Sequence, residues 1–258
     1  MLTTAIALLS LLAVLGILYL ALILPTQWLK VERVEVGTKL GKKALQFSDL
    51  HVERLRITPK QLQKLISLEQ PDYIFITGDF TKLPDSLPKL ITYLKLFQDS
   101  GIPTYAVLGN HDHQQPKVRN LIRLIESYNI RVLRNESVQL EGFQLVGIDD
   151  FNSGKSNITK SFSAVVSELP VIIITHDPNI VLFLTRPYSF LMAGHLHGRQ
   201  FNVPFFYKFR RMGKLPAMGI YKGVHTTPFG KYYISKGLGQ TAFNVRFMVR
   251  SEVTVHQL

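Results

Sequence analysis

The feature that most constrains this 258-residue chain is a repeated grammar in which short apolar runs of β-type residues each end in a polar cluster. "KALQFSDLH" ends in Asp49 and His51, "YIFITGD" in Gly78 and Asp79, and "YAVLGNHD" in Gly109 through Asp112. "VIIITH" ends in His176, and "FLMAGHLH" in Gly194 through His197. Runs such as "YIFIT" and "VIIIT" show no apolar/polar alternation. They predict strands covered on both faces, as in a parallel sheet under helices. The stretches between them have helical ends. Thr58 before Pro59 predicts an N-cap with a first-turn proline, and Gly101 predicts a stop. Strands alternating with helices predict an α/β fold. In open α/β sheets, ligands bind beyond the carboxyl ends of the strands, so all five clusters are expected on one rim.

The residue types on that rim point to metal chemistry. Five of the eight histidines lie in the clusters, and there is no cysteine, which excludes disulfides and thiolate metal sites. Asp and His together suit Mn, Fe or Zn. The i, i+2 spacing of Asp49/His51 and of His195/His197 can put both side chains on one side of an extended segment. Seven candidate ligands, Asp49, His51, Asp79, Asn110, His176, His195 and His197, exceed what one transition metal needs. Two divalent ions sharing a carboxylate would use them all. Such pairs, about 3.5–4 Å apart, clamp the oxygens of an in-line displacement at phosphorus.

Asp-x-His, Gly-Asp, Gly-Asn-His-Asp, a lone His and Gly-His-x-His, in that order from 49 to 197, resemble the calcineurin-like metallophosphoesterase superfamily. The resemblance implies a four-layer αββα sandwich. It implies that Asp49, His51 and His197 hold a first metal and that Asn110, His176 and His195 hold a second. Asp79 would bridge the two ions, with Mn the favoured metal. It further implies that His111 protonates the leaving group or stabilises the transition state, with Asp112 orienting it. The family often has an Asp three residues after the Gly-Asp carboxylate, where this chain has Lys82, which is read as a solvated surface lysine. Arg199 stands where the family has glycine and is a candidate phosphate contact. Asp149 and Asp150 are expected to make structural hydrogen bonds, and His225 and His256 to be core residues.

The ends of the chain add a setting. No charged side chain occurs from Leu2 to Leu29, enough apolar chain to span a bilayer as a helix. Residues 1–29 are therefore expected to be a retained transmembrane anchor, 30–42 a linker and 43–258 the catalytic domain. The basic residues Lys30, Arg33, Lys39, Lys42 and Lys43 all follow the span, which predicts a single-pass inner-membrane protein with a cytoplasmic catalytic domain. The net charge of +12 favours anionic partners. Loop 201–214 interleaves aromatic and basic residues and is expected to face lipid.

"GHLHGRQ" and "KGLGQ" make the layout similar to small bacterial membrane-associated members of the YkuE/YaeI type. Some relatives of that type cleave the pyrophosphate of UDP-2,3-diacylglucosamine. The expected function is thus a membrane-anchored dinuclear-metal phosphohydrolase acting on a phosphodiester or pyrophosphate of a lipid-linked substrate. An exported wall-associated phosphodiesterase or a nucleotide or nucleic-acid phosphodiesterase is the alternative, and no stable nucleic-acid partner is expected. A non-catalytic binding protein would have lost ligands, whereas this chain keeps all seven.

Overall fold

The computed structural model describes residues 1–166, 168–203 and 212–258. Among them the apolar N-terminus is one continuous helix, α1 (Leu2–Leu18), a π-helical turn (Tyr19–Ile23) and α2 (Leu24–Gln27). At 1.5 Å per residue its 26 residues reach about 39 Å, more than the roughly 30 Å of a bilayer's hydrocarbon core. Residues 2–20 are exposed along it, with no core of their own to enter.

The rest of the chain builds two six-stranded sheets. In the first the strand order is β1 (Lys30–Glu35), β12 (Glu252–Gln257), β2 (Lys43–Phe47), β3 (Tyr73–Thr77), β4 (Thr104–Val107) and β5 (Ile130–Val132). In the second it is β10 (Gly223–Thr227), β11 (Gly230–Ile234), β9 (Phe190–Ala193), β8 (Val171–Ile174), β7 (Phe143–Gly147) and β6 (Glu136–Leu140). Strands β2 to β5 run parallel, as do β7, β8, β9 and β11. Side chains such as Phe75, Phe143, Met192 and Tyr233 fill the space between the sheets.

Helices α3 (Pro59–Glu69), α4 (Leu87–Asp99) and α6 (Val118–Glu126) cover the outer face of the first sheet; α5 (Asn110–His113) is a single turn at its end. A 3-10 helix (Pro178–Phe183) and shorter segments cover the second. This is the expected αββα layering. Local signals hold: Thr58 and Gln61 form a capping box at the start of α3, and Gly101 takes φ +69° after α4.

Two boundaries move. The expected linker 30–42 begins as β1, an edge strand pairing in parallel with β12 from Lys30↔Glu252 to Glu35↔Gln257. Its sequence, KVERVE, with charged residues of both signs around Val31 and Val34, suits an edge. The N-terminal helix also ends without slack. Arg246 N donates to Leu22 O and Ser251 N to Pro25 O. The Arg56 guanidinium donates to Thr26 Oγ1, and Arg250 lies over the Trp28 ring at 3.8 Å while donating to Leu29 O. The helix is docked on the sandwich.

Candidate metal centre

The strand ends converge because the backbone turns sharply as each sheet strand stops. Asp49, His51, Asp79, His195 and His197 all have left-handed backbones, with φ of 52°, 40°, 57°, 71° and 48°. Non-glycine residues rarely adopt this conformation, and each instance costs on the order of 1–3 kcal/mol. The neighbouring hydrogen bonds hold it. Asp49 N donates to Gly78 O and His51 N to Asp79 O, so the loops after β2 and β3 stay paired beyond the sheet. Gly194 N donates to His176 O, and Gly239 N to Asp49 O. Glycines make room. A Cβ on Gly194 would collide with Ser48 and Asp49, one on Gly109 with Asp79, and one on Gly237 would sit 2.7 Å from Asp49 Cβ.

The side chains meet in three groups whose candidate ligand atoms lie within 4.8 Å of one another. These are Asp49, His51 and His197; His51, Asp79 and His111; and Asp79, His176 and His195. Asp79 is the hinge of the arrangement. Its Oδ1 accepts from His111 N at 2.9 Å, which leaves Oδ2 facing His51 Nε2 at 3.3 Å and His176 Nε2 at 3.2 Å. Asp49 Oδ1 lies 3.4 Å from His197 Nε2, and both Asp49 oxygens accept from His195 N. His176 Nδ1 donates to Thr77 O, which fixes the tautomer and frees Nε2 for the cluster. His195 Nδ1 lies 3.2 Å from that Nε2.

Several polar atoms here are buried with no hydrogen-bond partner: His51 Nε2, Asn110 Oδ1, His111 Nδ1 and His197 Nδ1. Such orphans are costly unless something else satisfies them. Orphaned nitrogen and oxygen ligand atoms around one shared carboxylate fit divalent metal ions.

The electrostatics agree. Burial disfavours charge on His51, yet the adjacent Asp79, Glu53 and Asp49 carboxylates push it up to about 10. His176 rises well above its usual value through the same contest, with Asp79 prevailing. Asp79 itself, despite burial, is held far down by the two imidazoles. Burial and the His176 charge push His195 down to about 4. Burial and His51 lower His197, and burial lowers His111. A carboxylate that concentrates positive charge at one oxygen behaves as a cation site waiting to exchange protons for metal.

The Asp112 carboxylate does not reach the His111 ring as expected. Its Oδ1 accepts from Phe80 N and Thr81 N, and its Oδ2 from Gly109 N. It clamps the Gly-Asp loop to the Gly-Asn-His-Asp turn. Arg199 is not among the described residues of the central cavity, and its guanidinium stacks on Tyr221 at 4.0 Å. Lys82 and Lys214, by contrast, line that cavity of about 580 Å³ beside Asp79, Asn110, His111 and His195. Lys82 is exposed, as expected, and stands at the cavity's rim. Phe151, Leu182, Phe183 and Met212 form an apolar wall.

Asp149 bonds His113 Nε2 at 2.7 Å and Arg134, and Asp150 accepts from Ser153 N, as structural partners. His256 is buried against Gln46, whereas His225 sits half-buried on the edge strand β10. Of the loop 201–214, residues 204–211 lie outside the described residues, and the lipid-facing expectation rests mainly on them.

Sequence reasoning missed Glu53, which lies 3.7 Å from His51 Nδ1 and accepts from Thr81. It also gave no role to Gln200, the last residue of "GHLHGRQ". Buried Gln200 donates to Thr241 O, Phe243 O and Val245 O and accepts from Thr241 N. Its place directly after the histidine motif was the available signal.

Comparison with known proteins agrees with this geometry. Metallophosphoesterase YkoQ of Bacillus subtilis is 37% identical over 248 residues, covering 90% of this chain and 92% of its own. Metallophosphoesterase YkuE of the same organism is 28% identical, covering 84% and 79%. UDP-2,3-diacylglucosamine pyrophosphatase LpxG of Chlamydia muridarum is 24% identical, covering 83% of each. A solved structure superposes with a TM-score of 0.51 over 76% of this chain and 90% of that one, at 15% identity, a likeness of fold alone. The calcineurin-like phosphoesterase profile matches residues 42–210. The chain belongs to the calcineurin-like phosphoesterases, a family of metal-dependent phosphoester hydrolases.

Proposed function

We propose that this protein is a membrane-anchored phosphohydrolase that holds two divalent ions and cleaves a pyrophosphate or phosphodiester bond of a lipid-linked substrate, with UDP-2,3-diacylglucosamine the leading candidate. The observation that carries the reading is Asp79 Oδ2, set between His51 Nε2 and His176 Nε2 from two different sheets. One carboxylate oxygen placed between two ligand sets is what a shared bridge requires. Asp49, His51 and His197 would hold one ion, and Asn110, His176 and His195 the other. Manganese is the favoured metal. Such ions supply Lewis acidity that activates water and neutralises charge at phosphorus.

The chain's own groups do the rest. Lys82 and Lys214 attract the anionic substrate into the cavity and hold its phosphate oxygens. Water adds to phosphorus as the bond to the leaving oxygen breaks. His111, kept near neutral by burial, hydrogen-bonds the departing oxygen, which takes up the proton that the water gives up. Asp112 keeps the His111 turn in register with Asp79. The apolar wall of Phe151, Leu182, Phe183 and Met212 suits an acyl or other apolar portion of the substrate. The relation to LpxG and the candidate span both support a lipid-linked choice.

The test is hydrolysis of bis(4-nitrophenyl) phosphate and of UDP-diacylglucosamine by the detergent-purified protein loaded with Mn²⁺. Asp79→Asn is expected to abolish both activities and to lower bound metal. A fully active Asp79→Asn protein would refute the bridge, and turnover of the soluble diester alone would refute the lipid-linked substrate.

A further inference from the structure

The membrane helix leaves the sandwich at the catalytic end. β12 is antiparallel to β2 and parallel to β1, so both β1 and β12 begin at the end where β2, β3 and β4 finish. That end carries Asp49, Asp79 and Asn110. The helix feeds directly into β1, and its last turns bond to residues 246–251, just ahead of β12. The metal rim and the helix exit therefore share one face of the molecule.

The loop between them is apolar on its outer side. Phe243 is 70% exposed and Met248 71% exposed, large apolar groups with no covering core. Trp28 is 56% exposed at the helix end, with Arg250 stacked on it, an aromatic and basic pair of the kind found at membrane interfaces. The loop is firmly held. Gln200 ties Thr241, Phe243 and Val245 to the histidine motif, and the buried Arg246 guanidinium donates to Lys236, Gly237, Gly239 and Arg250 carbonyls. Thr241 at its start lines the cavity.

We propose that loop 241–248, with Trp28, is a membrane-seating surface: Phe243 and Met248 enter the boundary between lipid head groups and acyl chains, and the cavity mouth at Thr241 opens toward the bilayer. A lipid surface is the occupant because the loop is continuous with the helix that spans it. An amphiphilic phosphoester could then reach the metal rim with its acyl chains still in the leaflet. This rests on reading Leu2–Gln27 as a membrane span and extends the proposed function.

The chain contains no cysteine, so single labels can be placed at will. Full-length Phe243→Cys, Met248→Cys and Phe229→Cys proteins, spin-labelled in phosphatidylethanolamine–phosphatidylglycerol nanodiscs, report depth by the ratio of oxygen to nickel-reagent accessibility. Phe229 lies at the start of β11, at the opposite end of the sheet. The ratio is expected to be severalfold higher at 243 and 248 than at 229. Equal, water-like ratios at all three would overturn the proposal. Should a labelled protein fail to fold, the Trp28→Phe, Phe243→Trp double variant moves the sole tryptophan into the loop. Brominated lipids should quench its emission, and unquenched emission overturns the proposal equally. Hydrolysis of soluble bis(4-nitrophenyl) phosphate, measured on the same samples, separates failure of the catalytic reading from failure of the seating.

Discussion

Replacing Asp112 by alanine should cost this protein its stability before its chemistry. The carboxylate is fully buried and accepts three backbone N–H groups, from Gly109, Phe80 and Thr81, at 2.8 to 3.1 Å. Alanine leaves all three donors buried without an acceptor. At about 1 kcal/mol each, the low end for an unsatisfied buried group, the loss is about 3 kcal/mol. For a domain of this size each kcal/mol lowers Tm by roughly 2–4 °C, so a fall of about 6–12 °C is expected. Asp112→Asn should lose less. Its oxygen can still serve Phe80 and Thr81, while its NH₂ faces the Gly109 N–H, a cost of about 1–3 kcal/mol. The assay is thermal unfolding by circular dichroism in detergent, with Mn²⁺ content and diester hydrolysis measured on the same preparations. If Asp112 instead orients the His111 ring, the alanine protein would melt with the parent while turnover fell and its pH profile shifted. That pattern would refute the clamp.

Gly194→Ala should impair metal binding without touching a ligand. Its Cβ collides with Ser48 and Asp49, so bound manganese measured by mass spectrometry should fall, and an undiminished content would argue against the crowding. Metal binding should release protons, because His51 is pushed up to about 10 and His176 is also raised. Both hold their protons at neutral pH until an ion displaces them. Apparent affinity should therefore rise with pH and fade on acidification, about tenfold per unit for each proton released. Calorimetry in buffers of different ionisation enthalpy would measure that release, and a buffer-independent heat would contradict it. Lys214→Ala should raise KM for an anionic diester severalfold with little change in kcat, since the lysine lines the cavity without joining the cluster. A kcat effect alone would place it in the chemistry.

Much of this is legible in the amino-acid sequence. The rim was readable because unalternating strands such as Tyr73–Thr77 must be covered on both faces, which puts their polar ends at the sheet boundary. The ligand set was readable because His and Asp are scarce elsewhere in those runs. What escaped is contact without local pattern. Nothing in "GNHD" tells whether Asp112 faces its neighbour's ring or the backbone of a loop 31 residues earlier. Lys82 lines the cavity and Arg199 is absent from its lining, a difference that charge alone does not announce because it does not say which way a turn points. β1 escaped because "KVERVE" is short and mostly charged, as an edge strand can be, and only its partner, far away in the sequence, makes it a strand.

That pairing has a consequence in time. Among the described residues β1 pairs into the first sheet only through β12, whose residues lie more than 200 positions later in the chain. The stretch ahead of β12 supplies Leu238 and Gly239, which bond the backbone of Ser48 and Asp49 and wall in the first ligand. Contacts so distant along the chain form slowly, because the intervening loop must close before they stabilise anything. During synthesis the helix and β1 emerge well before the strand that secures them. Completion of the sheet, attachment of the sandwich to its helix and closure of the Asp49 side of the site become a single late event. A half-made chain carries its N-terminal helix but has no finished metal rim to work with.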